Sequence, residues 1–151
     1  MAKRGERLVG RVVTVLIVLL VAGCGPAELD AGDAWVRLPA APGRPGVAYF
    51  TVNGGPEARR LTRVTADQAL RAEMHESMGA DGRMSMRPLA DVPVPPGEDV
   101  VFAPGGRHVM LYDLDPKAKR GGNTILTLTF DNGFRLYRKA YIIGAGDPVP
   151  E

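Results

Sequence analysis

The chain has 151 residues, 45% hydrophobic and 24% charged, the make-up of an ordinary globular protein with one domain's worth of sequence. Its formal net charge of +2 is a property of the first residues. Of the 19 basic and 17 acidic residues, Lys3, Arg4, Arg7, Arg11 and Glu6 precede residue 24, so the remainder carries 15 basic and 16 acidic residues and offers no basic stripe for nucleic acid.

After those four cations comes the apolar run "VVTVLIVLLVAG", residues 12–23, which is too short to span a bilayer as a mature helix. Residues 1–23 therefore read as a signal peptide. The junction Val21-Ala22-Gly23-Cys24 resembles a bacterial lipobox, in which the cysteine is lipidated and becomes the new N-terminus. Cys24 is the only cysteine, so the folded part is expected to hold no thiol and no disulfide in an oxidising compartment. The expected organisation is a leader over 1–23, a lipidated N-terminus and tether over 24–32, a β domain over 33–144 and a flexible tail over 145–151.

Within the domain, strand signals dominate in chain order. "DAWVRL", "GVAYFTVN", "RRLTRVTA", "ALRAEMHESM", "RMSMRPL", "DVVFA", "RHVMLYDL", "NTILTLTF" and "FRLYRKAYII" are short runs bounded by Gly, Pro, Asn and Asp. Asn132-Gly133 signals a tight hairpin, while "PVPPGE" and "APGG" read as turns. No long helical periodicity occurs. About nine short strands without disulfides predict an all-β fold, an antiparallel Greek-key sandwich or partly closed barrel.

The segment "MHESMGADGRMSM" packs four of the six methionines and one of the two histidines into one predicted hairpin. Taking Gly79 to Gly82 as a four-residue loop sets Met78 opposite Arg83 and His75 opposite Met86. Alternation then puts His75, Ser77, Met84 and Met86 on one face and Met74, Glu76, Met78, Arg83, Ser85 and Arg87 on the other. In "GGRHVMLYDL", His108 and Met110 are two apart and also share a face. His75, Met86, His108 and Met110 are thus a candidate metal site. Met84 stands as an auxiliary ligand or as rim packing, Met74 and Met78 as packing, and Trp35 as core. Arg83, Arg87 and Arg107 read as a solvated face.

Thioethers are poor donors to hard cations, whereas Cu(I) is soft and favours methionine sulfur beside imidazole. Zinc would more often recruit Cys or carboxylate. A blue-copper electron-transfer centre needs a Cys thiolate, which the folded part lacks. The donor set therefore points to holding Cu(I) rather than cycling it.

The spacing His75, ten residues, Met86, twenty-one residues, His108, one residue, Met110 is that of the H-x10-M-x21-H-x-M signature, and the chain resembles the PCuAC-like copper(I) chaperones. "DAWVRLPAAPGRPGVAYFTVNGG", "MHESMGADGRMSMRPL", "APGGRHVMLYDL" and "TLTFDNG" carry the resemblance, which runs from about Asp33 to Ile143. It implies a cupredoxin-like fold, these four ligands, and delivery of copper to respiratory sites, notably that of cytochrome c oxidase. The expected protein is a monomeric, extracytoplasmic Cu(I) chaperone anchored to a bacterial membrane through Cys24, with a copper-acceptor protein as partner. A copper store or scavenger would use the same site, and a metal-free β-sandwich interaction module is a further alternative. An enzyme is the weakest reading, for no Ser/His/Asp-type motif, free nucleophilic Cys or carboxylate pair stands out.

Overall fold

The computed structural model describes residues 28–80 and 83–150; the expected leader, the lipobox with Cys24 and residues 24–27 of the expected tether lie outside them. Ten strands follow in order: β1 (Asp30–Arg37), β2 (Gly46–Asn53), β3 (Arg59–Ala66), β4 (Ala69–Ala80), β5 (Arg83–Pro88), β6 (Val92–Val94), β7 (Asp99–Phe102), β8 (Arg107–Leu114), β9 (Asn123–Phe130) and β10 (Arg135–Ile143). Among the described residues there is no helix. Nine strands coincide with the nine runs above. The extra one, β6, lies in the stretch expected to be a turn. It pairs only with β3, as the sheet's edge, where Pro93 removes no donor that a second neighbour would need.

Alternation explains the strands individually. In β2, Gly46, Ala48, Phe50 and Val52 face inward, and in β9 Thr124, Leu126, Leu128 and Phe130 do. The strand order is β5-β4-β8-β7-β2-β1-β10-β9-β3-β6, with β1 parallel to β10 and β7 parallel to β8. β2 serves two neighbours, pairing Gly46–Ala48 with β8 and Phe50–Asn53 with β7. The sheet folds over so that β3 packs against β4, and Leu61 and Val64, Met74, Phe102, Val109, Leu111, Leu128 and Ile142 join one core. Phe50 and Phe102, directly paired, stack at a centroid distance of 4.4 Å at its centre. Trp35 is buried outside this core, tilted against Tyr49 with ring centroids 4.4 Å apart and covered by the Arg37 guanidinium at 5.3 Å.

Both expected domain boundaries move outward. β1 begins at Asp30 and Ala31 is buried in the core, so the tether ends before Asp33. At the other end the tail is fastened rather than loose at its start. Arg37 Nη1 donates to the carbonyls of Gly144 (3.2 Å), Ala145 (3.0 Å) and Asp147 (2.7 Å). The Asp147 carboxylate accepts from the Gly144 amide at 2.7 Å and from Arg120 Nε at 2.6 Å.

These two donors, the Gly144 amide first, hold the Asp147 carboxyl below its ordinary value. A depressed folded-state value means stabilisation that is present at neutral pH and lost as pH falls through it. Asp147→Asn should therefore lower the Tm at pH 7, and the gap to the parent should close below about pH 4. Melting curves from pH 7 to pH 3 check this; a gap that does not change with pH contradicts it.

Candidate metal centre

The geometry begins with the pairing of β4 and β8. Their antiparallel register sets His75 opposite His108, Glu73 opposite Met110 and Arg71 opposite Tyr112. These are successive rungs on one face, because directly opposed residues point the same way and every second residue repeats the face. Residues between them, Met74 opposite Val109 and Ala72 opposite Leu111, turn to the core. The two imidazoles meet edge to face with centroids 5.9 Å apart.

The β4–β5 hairpin has a different register from the expected one. Ala80 pairs with Arg83, leaving only Asp81 and Gly82 between them, so His75 lies opposite Pro88 and Met86 opposite Ser77. Pairing therefore runs two residues further along β4 than the four-residue loop assumed from Gly79 to Gly82 allows, as the Asp-Gly sequence favours. The shift is two residues, one full strand period, so the faces are unchanged: Met84, Met86, Ser77 and His75 still share one. Met86 is now diagonal to His75 rather than beside it, a Cα separation of roughly 7–8 Å that a methionine side chain spans. Met84 lies one rung further out, opposite Gly79, with its sulfur over that glycine.

Exposure grades across the site. His108 is buried at 5% exposure and the His75 side chain is 12% exposed, whereas Met86 and Met84 are 60% and 70% exposed. Met110 is half-buried, its sulfur 3.5 Å from the Tyr112 hydroxyl. Met74 is core and Met78 stands half out of the surface. Of the arginines expected in solvent, Arg87 and Arg107 both lie against Glu76, at 2.6 and 3.7 Å.

Each ring turns one nitrogen toward an acceptor and leaves the other without a partner. His108 Nδ1 is 3.0 Å from the Gly106 carbonyl, which only accepts, so Nδ1 carries the proton and Nε2 keeps its lone pair. Gly106 is positioned by a turn at Gly105, whose φ of +81° suits glycine, and its carbonyl also accepts from the Ser77 amide at 3.0 Å. His75 Nε2 lies 3.6 Å from Glu73 Oε2. The remaining atoms, His75 Nδ1 and His108 Nε2, are buried with no hydrogen-bond partner. Buried polar atoms are normally satisfied, and an unpartnered imidazole nitrogen is what a metal ligand looks like before its metal arrives. Among the described residues no three His, Cys, Asp or Glu side chains cluster closely enough to hold an ion, so further donors to these rings would be thioethers.

Glu73 and Tyr112 were not singled out in the sequence, although each lies two residues from a candidate ligand and so shares its face. Glu73 is ion-paired with Arg71, whose guanidinium also sits 3.9 Å over the Tyr112 ring. Burial, then the Glu73 carboxylate nearby, raises the Tyr112 phenol above its ordinary value, with Arg71 opposing.

The all-β fold is that of PCuAC domains. The copper-bound PCuAC domain from PmoF2 superposes with a TM-score of 0.64 at 21% identity, covering 80% of this chain and 96% of that one. The apo PCuAC domain from PmoF1 gives 0.63 at 22%, covering 80% and 97%. The solution structure of CuI-DR1885 from Deinococcus radiodurans gives 0.59 at 24%, covering 81% and 83%. A relative from Leifsonia xyli subsp. xyli (strain CTCB07), "Putative lipoprotein Lxx21020", is 27% identical over 138 residues, 82% of each chain. The LpqE-like family model, "Putative lipoprotein LpqE-like", matches residues 29–137, and the chain belongs to that family.

The methionines separate by burial. Met74→Ala should destabilise the domain by about 2–5 kcal/mol through loss of core packing, whereas Met84→Ala and Met86→Ala should each stay within about 0.5 kcal/mol. Denaturant unfolding of the three variants checks this; equal losses in all three would contradict the assignment of faces.

Proposed function

We propose that the protein is a Cu(I)-binding chaperone that holds copper through His75, His108, Met86 and Met110, with Met84 as an auxiliary ligand at the rim. The observation that carries this reading is the pair of imidazoles on directly opposed residues, each with a buried, unpartnered nitrogen, flanked on the same face by thioethers. A metal–imidazole bond is about 2.0 Å, so two rings on one ion need donor atoms within roughly 4 Å of each other. Centroids 5.9 Å apart allow this when the two free nitrogens turn toward each other. Neutral nitrogen with neutral sulfur suits a soft monovalent ion and gives hard cations little. The copper-bound PCuAC domain and CuI-DR1885 share the fold, and their names support copper as the cargo.

Release would proceed by ligand exchange. Imidazole and thioether hold Cu(I) without thiolates, so an acceptor with cysteine ligands draws the ion downhill. The exposure gradient orders the steps: Met86 is the accessible ligand and is replaced first, and His108 is the last to let go. The proposed acceptors are respiratory copper sites such as that of cytochrome c oxidase. The lipobox at Cys24 and the lipoprotein relatives support an extracytoplasmic, lipid-anchored location, which would confine the search for a membrane-bound acceptor to the membrane surface and raise effective concentration.

The test is anaerobic Cu(I) titration against a competing chelator, using the chain from Gly25 onward, which contains every strand of the fold. One equivalent should bind, and the loaded form should melt above the copper-free form, since a ligand of the native state stabilises it. His108→Ala should weaken binding by more than the roughly 10–100-fold that changes to supporting residues cost. No uptake by the parent, or an unchanged affinity in His108→Ala, would refute the reading.

A further inference from the structure

We infer that Glu73 is the positioning residue of this site: its carboxylate turns the His75 imidazole so that the Nε2 proton points to Glu73 and the Nδ1 lone pair is free for copper. The inference rests on His75 being a copper ligand, as proposed above. Three observations carry it.

First, Glu73 and His75 are two apart on β4, so they share a face, and Glu73 Oε2 lies 3.6 Å from His75 Nε2. A carboxylate only accepts, so the ring nitrogen facing it is the one that carries hydrogen. Second, His75 Nδ1 is buried and unpartnered. With the proton there instead, a buried N–H would lack an acceptor and Nε2 would turn a lone pair toward a negative charge; both penalties vanish in the assigned tautomer. Third, Glu73 is itself held. Arg71 pairs with it, and the same guanidinium lies 3.9 Å over the Tyr112 ring on the opposing strand, which fixes the arginine in turn. The rung order Arg71/Tyr112, Glu73/Met110, His75/His108 thus runs from an anchor, through a carboxylate, to the ligand rings.

The two histidines are consequently set in opposite senses. His108 is oriented by a backbone carbonyl on Nδ1 and offers Nε2; His75 is oriented by a side-chain carboxylate on Nε2 and offers Nδ1. Only the second can be altered by substitution without touching the backbone. Carboxylates that hold a ligand histidine in this way typically contribute 10–100-fold to metal affinity.

The test uses Glu73→Gln, which keeps the shape but removes the charge and the obligate acceptor. In the copper-free parent chain, nitrogen-15 NMR should show His75 protonated on Nε2 and His108 on Nδ1. In Glu73→Gln the His75 signal should move toward a tautomer mixture while His108 stays as it was, and Cu(I) affinity should fall about 10–100-fold with the Tm little changed. His75 protonated on Nδ1 in the parent overturns the inference, as does a Glu73→Gln chain with an unchanged His75 tautomer, whatever its affinity. The copper-free NMR decides the role of Glu73 even if the parent takes up no Cu(I), an outcome that would instead defeat the ligand assignment.

Discussion

Seven paired positions between β4 and β8, from Ala69 with Leu114 to Glu76 with Arg107, hold the site in place. Because side chains alternate with a period of two, a slip of one residue would drive His75 toward the core and push Met74 out of it. That slip is opposed at three points: Met74 is buried in the core, the Ser77 amide reaches the Gly106 carbonyl beyond one end of the ladder, and the Asp115 amide reaches the Gln68 carbonyl beyond the other. The core and the candidate metal centre are therefore two sides of one register. Burying Met74, Val109 and Leu111 places His75, His108 and Met110 on the opposite face.

The proposed cargo and the gradation of exposure belong together. A site meant to keep an ion would be closed on all sides. Here the proposed nitrogen ligands lie on inner strands, His108 buried and the His75 side chain 12% exposed, while the proposed sulfur ligands of β5 stand on an edge strand whose six residues are all exposed. The same asymmetry appears in the polar groups: backbone geometry orients His108, and a partly exposed side-chain group of Arg71, Glu73 and Tyr112 flanks His75. Tight holding at one end and open access at the other is the arrangement that ligand exchange requires.

How much of this was legible in the sequence follows from the range of each interaction. Strand periodicity is local, so nine strands could be read from alternating runs such as Gly46–Asn53 and Asn123–Phe130. β6 could not, because three residues containing Pro93 carry no period and the strand exists only by pairing with β3. The faces of Met84 and Met86 were legible even though the hairpin loop was assigned two residues too long, since a shift of two conserves parity; their distance from His75 was not. The pairing of His75 with His108 joins segments more than thirty residues apart, and no local pattern announces it. Glu73 and Tyr112 came into view only with that pairing. The fastening of the tail by Arg37 is of the same kind, a bond across more than a hundred residues that composition near Gly144 does not signal.

X-ray absorption of the copper-loaded chain bears on the central claim most directly, because it reads the donor atoms themselves. Convergence of His75 and His108 with Met86 and Met110 predicts an edge characteristic of Cu(I) and a first shell containing both imidazole nitrogen and thioether sulfur. A shell of nitrogen and oxygen alone, or of sulfur alone, would contradict it and would mean that the face formed by β5, β4 and β8 is not where the ion binds.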